Sequence, residues 1–180
     1  GEGWLGSCAR SLKEALERHG SVDLYEVNES AWFPRSQARW LRALNRATLP
    51  VRRHAFSRHI LDRVRELRPD VVMTYKGWPV SADLLARIRE LGARTVNVYP
   101  DASPHAHGRA HRDAVGAYDF VISTKPFHPE HWTSTYGYKN RCVFVPQGYD
   151  PRLHLVADPP QAFEFDVAMV ATYRPEYGRL

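Results

Sequence analysis

Short, continuous apolar runs alternate with longer segments whose apolar residues recur every three or four positions. The runs are typical of buried strands, and the longer segments are typical of helices with one buried face. We predict strands over residues 22–27, 70–75, 95–99, 119–124 and 141–145. We predict helices over residues 7–19, 37–50, 51–67, 80–91, 111–117 and 126–136. This alternation predicts an α/β fold, a Rossmann-like parallel sheet with helices on both faces.

Composition indicates a globular chain and excludes several other classes. The 180 residues are 43% apolar and 25% charged, which excludes a disordered tail, a collagen-like repeat and a disulfide scaffold. No run of about 18 apolar residues is present, so we predict no membrane-spanning helix. Cys8 and Cys142 stand far apart without metal-ligand spacing, so we expect two reduced thiols. We therefore expect a cytoplasmic protein.

Proline-rich sequence after Asp150 divides the chain into two unequal parts. We expect residues 1–150 to form the Rossmann-like domain, residues 151–164 a linker, and residues 165–180 the start of a second domain, because a new apolar strand begins at Phe165. At the other end, almost no strand precedes the glycine-rich loop before Ser7. We therefore expect truncation at both ends, with the first strand missing.

Basic charge is concentrated between Arg35 and Arg68. This stretch holds ten arginines against Asp62 and Glu66, a net charge of +8, so the rest of the chain carries −3. One interpretation is a pair of amphipathic helices that pack on the core and expose solvated arginines. The other is contact with a phosphate-bearing partner, for which a peripheral anionic membrane surface is our candidate. No zinc-finger, basic-zipper or RNA-recognition signature is present, so we do not expect nucleic-acid binding.

Four motifs occur in a characteristic order along the chain. They are Gly6-Ser7 opening a helix, residues 68–72 (RPDVV) before Lys76-Gly77, residues 145–150 (VPQGYD), and residues 166–176 (DVAMVATYRPE). Together they resemble the amino-terminal half of group-1 glycosyltransferases of the GT-B fold, nearest to the spore maturation protein B-like glycosyltransferases. The resemblance covers nearly the whole chain.

The resemblance implies a two-domain enzyme with its chemistry in the cleft between the domains. The first domain would bind an unidentified acceptor, and the second would bind a nucleotide-diphosphate sugar as the co-substrate. Neither a resident cofactor nor a metal is implied. With the second domain truncated, the chain would be inactive alone.

Candidate site residues follow the predicted strands, because ligands of parallel α/β sheets bind beyond the carboxyl ends of the strands. Asp101 is our candidate catalytic residue, since a carboxylate there can accept a proton from an acceptor hydroxyl or orient the sugar by hydrogen bonds. His105 is the second candidate. His105, His107 and His111 crowd one loop, but they lack the companions of a convincing metal site, and a solvated, mobile loop is the simpler interpretation.

Phosphate or substrate contacts fall on small and basic residues in the same loops. The candidates are Gly6, Ser7, Lys76, Gly77, His105, Lys125, Gln147 and Gly148. Backbone N–H groups at a helix start and lysine side chains can neutralise a leaving diphosphate. Each candidate also has a purely structural interpretation: Ser7 as a helix cap, the lysines as solvated surface residues, and Gly148 as a turn residue that permits positive φ.

A non-catalytic binding module of the flavodoxin-like or response-regulator-like kind is the alternative to a transferase. Such a module is complete in about 120–150 residues and does not begin a new strand after a proline-rich linker. The sequence beyond Leu180 would separate the two interpretations.

Overall fold

Four parallel strands form the centre of the structure, a computed structural model that describes residues 7–20, 22–34, 36 and 38–150. The strands are β1 Val71–Tyr75, β2 Arg94–Tyr99, β3 Phe120–Ser123 and β4 Arg141–Phe144. Their order in the sheet is β1-β2-β3-β4, and all three neighbouring pairs are parallel. The α/β prediction with a parallel sheet is therefore confirmed, and the arrangement is consistent with a Rossmann-like fold. The chain divides into two compact units, residues 1–148 and 149–180, and the sheet lies in the first.

Helices flank the sheet and precede or connect the strands. They are α1 Cys8–His19, α2 Glu29–Trp32, α3 Arg39–Ala47, α4 Leu49–Leu67, α5 Ala82–Glu90, α6 Arg109–Val115 and α7 His128–Ser134. The six predicted helices are found within a few residues of their predicted bounds, except that the predicted start at Gln37 lies outside the described residues. Helix α2 and a 3-10 turn over Pro104–His107 were not predicted. In the described part of the chain, no helix has the length and hydropathy needed to cross a membrane.

Local sequence explains where the two best-defined helices begin and end. Ser7 caps α1 by accepting a hydrogen bond from the Arg10 amide, and Gly20 ends it at a φ of 72°. Pro50 lies in the first turn of α4, where its missing N–H costs nothing. The helix ends at Arg68, directly before Pro69, because proline disfavours the helical conformation in the residue that precedes it.

The prediction of a strand over residues 22–27 is wrong. Residues 22–28 form no strand, and none of the four strands of the described sheet pairs with them. Val22 and Tyr25 are about half exposed, at 46% and 55%. Lys13 of α1 forms an ion pair with Glu26 across 2.7 Å. The alternation of this segment is therefore matched by burial only in part, since Leu24 and Val27 are half-buried whereas Val22 is exposed.

One face of the sheet carries the core. Thr95, Asn97 and Tyr99 alternate along this face of β2 and are fully buried, as the two-residue period of a strand requires. The helices contribute the buried side chains of Leu61, Leu84, Leu85, Ile88, Val115 and Trp132. On the opposite face, Val71 and Met73 of β1 remain 47% and 40% exposed. The face that carries Thr95, Asn97 and Tyr99 is therefore the more completely buried one.

A buried polar cluster lies under the loop that follows β1. Asn97 donates through Nδ2 to Thr74 Oγ1 and to the Lys76 carbonyl, each at 3.1 Å. Thr74 in turn donates to the Tyr118 hydroxyl at 2.9 Å, and burial raises the pKa of Tyr118 to about 12. These bonds hold the Lys76 backbone in place from the buried side of the loop.

Candidate functional site

An ion pair between Lys76 and Asp101 lies at the carboxyl edge of the sheet. Lys76 directly follows β1 and Asp101 follows β2, and these two strands are neighbours. Lys76 Nζ lies 3.0 Å from Asp101 Oδ2, and the two side chains are 33% and 28% exposed. Two residues that are 25 positions apart thus form one charged pair, which solvent can reach.

The backbone at Lys76 and Gly77 makes an unusual turn. Both residues have positive φ, 63° at Lys76 and 71° at Gly77. The Lys76 amide donates to the Val98 carbonyl at 2.8 Å, and the Gly77 amide donates to the Tyr75 carbonyl at 2.7 Å. A lysine in the left-handed region is held at a cost of about 1–2 kcal/mol. Such local strain is concentrated at functional sites, where it fixes the direction of a side chain.

Glycine is required at position 77 by the buried cluster. A Cβ there would lie 2.5 Å from the Tyr118 hydroxyl oxygen and 2.9 Å from both Asn97 Nδ2 and Thr74 Oγ1. Since its amide already donates to Tyr75, Gly77 shapes the loop and has no amide to offer a phosphate in this conformation.

Tyr75 and Cys8 connect the start of α1 to the ion pair. Tyr75, the last residue of β1, lies beside the Cys8 side chain and near Asp101. Burial, the neighbouring Cys8 side chain and the negative charge of Asp101 together raise the pKa of the Tyr75 phenol above its usual value. The Gln147 side chain donates through Nε2 to Cys8 Sγ at 3.3 Å. The start of α1, the end of β1 and the loop after β4 therefore meet at this edge.

Ser7 is buried at the first turn of α1, where its side chain accepts from the Arg10 amide at 3.5 Å. This contact supports its interpretation as a helix cap. Gly6, the other candidate at this turn, lies outside the described residues. Gly148 has open space around it and does not adopt positive φ, so the predicted reason for glycine there is wrong.

Lys125 lies at the start of the loop after β3, beside a buried serine–histidine pair. The Lys125 amide donates to Ser123 Oγ at 3.0 Å, and Ser123 Oγ lies 2.5 Å from His128 Nδ1. His128 Nε2 lies 3.1 Å from the Ala102 carbonyl, which can only accept, so Nε2 carries the proton and Ser123 donates to Nδ1. Burial lowers the pKa of His128, which keeps the ring neutral. The pair ties the loop that contains Asp101 to β3 and α7.

The histidines of the loop after β2 point to different neighbours. The exposed His105 ring packs 5.6 Å from the Tyr136 ring, whereas His111 is buried 6.0 Å from the Tyr99 ring. The interpretation of His111 as a solvated loop residue is therefore wrong, because α6 carries it into the core. The side chain of His107 lies outside the described residues. Within the described ranges, no three histidine, cysteine, aspartate or glutamate side chains are grouped to hold a metal ion.

The structure thus brings Lys76, Asp101 and Gln147 to one edge together with the capped start of α1. Sequence reasoning selected the loops that contain Tyr75 and Ser123 but gave neither side chain a role, and it missed Cys8 and His128. Tyr75 offered a signal, since it ends a strand directly before Lys76. The serine–histidine pair offered none, because its histidine lies in a helix.

No model of a known protein family matches the chain, and no curated protein matches it. The functional assignment therefore depends on the described residues and on the motifs.

Proposed function

We propose that the described α/β unit is the acceptor-binding half of a GT-B glycosyltransferase. The reaction would transfer a sugar from a nucleotide-diphosphate sugar to an acceptor hydroxyl at the carboxyl edge of the sheet. The order of the motifs supports this class of enzyme. The position of the charged side chains supports this edge as the site.

The Lys76–Asp101 ion pair is the observation that carries the proposal. Its two members leave adjacent parallel strands, and each side chain is about one-third exposed. A strained backbone and a buried polar cluster fix Lys76 from below. The two groups lie 3.0 Å apart and have complementary roles in a glycosyl transfer. The ammonium group can stabilise the negative charge of the leaving group, and the carboxylate can accept the proton of the acceptor hydroxyl.

In the proposed step, the acceptor oxygen forms a bond to the anomeric carbon of the donor sugar. The bond between that carbon and the diphosphate oxygen breaks, and the electron pair leaves with the diphosphate. Asp101 accepts the hydroxyl proton, and Lys76 stabilises the negative charge of the departing diphosphate. The first turn of α1, whose N-terminal end carries partial positive charge, faces the same loops and adds to that stabilisation.

Sugar transfer measured with a panel of radiolabelled nucleotide-diphosphate sugars tests this assignment. The protein is assayed in its full natural length, with Asp101→Asn as the test variant and Asp113→Asn as the control. Asp113 is a half-exposed aspartate of α6 that pairs with arginines on its own helix. Asp101→Asn should lower turnover about 10²–10⁴-fold, whereas Asp113→Asn should leave it within about twofold. Equal turnover of the two variants would remove Asp101 from catalysis, and ligand binding without transfer would favour a binding module.

We also propose that α3 and the start of α4 contact an anionic membrane surface. Trp40, Leu44 and Val51 are 69%, 49% and 72% exposed, although apolar side chains of this size are normally buried. Trp40 and Leu44 are one turn apart on α3, so they form one outward apolar stripe. Residues 31–61 contain arginines and no acidic residue. Exposed apolar groups beside unneutralised cations are what an interfacial helix requires.

A further inference from the structure

A cavity of about 300 Å³ lies between α2, α3, the start of α4 and the loop after β1. Its walls include Glu29, Phe33, Asn45, Arg46, Arg52 and Trp78. Asn45 donates through Nδ2 to the Pro34 carbonyl at 3.1 Å, which joins α3 to the segment after α2 and fixes the rim. Trp78 lies two residues beyond Lys76, so the cavity borders the loop of the ion pair.

Positive charge dominates this cavity. Arg46 and Arg52 line it and form no ion pair with a described residue, whereas two arginines farther along α4 pair with acidic neighbours on their own helix. Outside the lining, the Arg53 guanidinium lies 5.3 Å from the centre of the Trp78 ring. Among the described lining residues, Glu29 is the one carboxylate, and it accepts a hydrogen bond from the Trp78 indole. Two lining guanidinium groups against one engaged carboxylate favour an anionic ligand, and the arginine fork matches phosphate.

Aromatic and neutral polar groups complete the lining. Phe33 and Trp78 are in edge contact, with ring centres 4.9 Å apart, and form one wall. Ser30 and Asn45 add neutral polar groups to the lining. An aromatic wall next to hydrogen-bonding side chains suits a sugar ring, which has both C–H faces and hydroxyl groups. The volume is at the small end of ligand pockets and suits one monosaccharide rather than a whole nucleotide sugar.

We propose that this cavity binds a phosphorylated monosaccharide, with its phosphate on Arg46 and Arg52 and its ring against Trp78 and Phe33. The inference rests on the cavity itself and does not require sugar transfer. Two kinds of molecule present such a phosphorylated sugar: a soluble sugar phosphate and a lipid with a glycosyl-phosphate head group.

Isothermal titration calorimetry of the full chain with a hexose 6-phosphate tests the proposal. Arg46→Gln and Arg52→Gln should each weaken binding about tenfold or more, because each removes a charge-assisted contact to the phosphate. Arg58→Gln is the matched control, since Arg58 is an arginine of α4 outside the cavity lining. It should change the dissociation constant less than about twofold. Circular dichroism establishes that the three variants are folded.

Further titrations separate the ligand chemistries. The unphosphorylated hexose and inorganic phosphate should each bind at least about tenfold more weakly than the hexose phosphate. Binding of a polyprenyl-phosphate hexose in neutral vesicles, with the same loss in Arg46→Gln and Arg52→Gln, supports the proposal and assigns the lipid source. The proposal is overturned if neither phosphosugar binds, if inorganic phosphate binds as tightly as the hexose phosphate, or if Arg58→Gln weakens binding as much as Arg52→Gln.

Discussion

Replacing Gly77 by alanine should destabilise the protein strongly, because the new methyl group has no room. Its Cβ would lie 2.5 Å from the Tyr118 hydroxyl oxygen and 2.9 Å from Thr74 Oγ1, in a backbone with a φ of 71°. The left-handed conformation costs an alanine about 1–2 kcal/mol. Displacing the buried neighbours costs about 1–3 kcal/mol more. We expect a loss of about 2–5 kcal/mol in the free energy of unfolding.

Gly137→Ala provides a control with the same φ. Gly137 also has a φ of 71°, but a Cβ there would meet nothing within 4 Å. This variant should lose only the conformational cost of about 1–2 kcal/mol. Urea unfolding of both variants measures the difference, which isolates the crowding of the buried cluster. Equal losses in the two variants would refute the account of that cluster.

Three further predictions concern the serine–histidine pair and the basic helices. Ser123→Ala should lose about 1–3 kcal/mol of unfolding free energy, because it leaves a buried His128 nitrogen unpaired. Ser134→Ala, at an exposed hydroxyl, should lose less than about 0.5 kcal/mol, and equal losses would contradict the bond. Folding lowers the pKa of His128, so as the pH falls the unfolded chain binds a proton at this histidine before the folded chain does. The contribution of His128 to the free energy of unfolding should therefore be fully present above about pH 6.5, and it should decrease as the pH falls toward the lower pKa of the folded state. Between those pH values the urea midpoint should fall less in His128→Gln than in the wild-type protein. An equal fall in both proteins would contradict the assignment of this pH dependence to His128. In vesicle sedimentation, Trp40→Ala should weaken binding to anionic vesicles about tenfold, whereas Tyr25→Ala, which changes another exposed aromatic residue, should not. Equal binding of the wild-type protein to neutral and anionic vesicles would contradict a charge-dependent contact.

The fold class could be predicted because burial leaves a local trace in the sequence. Strand β3 is buried on one face and half-buried on the other, and its first three residues, Phe120, Val121 and Ile122, form a continuous apolar run. Residues 22–27 have an equally apolar local pattern, yet no strand of the described sheet pairs with them. Pairing depends on a distant part of the chain, and a short window of sequence contains no information about it.

The sequence predicts the site only through the rule that ligands of parallel sheets bind beyond the carboxyl ends of the strands. Lys76 and Asp101 are predicted as candidates because each follows a strand, but their contact depends on β1 and β2 being neighbours in the sheet. The Cys8 contact with Gln147 joins residues 139 positions apart, and no spacing in the sequence points to it. Tertiary packing, not local pattern, therefore selects which candidates meet.

A double-mutant cycle on sugar transfer tests most directly whether Lys76 and Asp101 act as one catalytic pair. Turnover is measured for Asp101→Asn, Lys76→Gln and the double variant, with nucleotide-diphosphate sugar as donor. Because the two side chains are in contact at 3.0 Å, we predict strong coupling, with the double variant little slower than the worse single variant. Two losses that multiply independently, or a wild-type protein that transfers sugar from no nucleotide-diphosphate donor, would contradict the account.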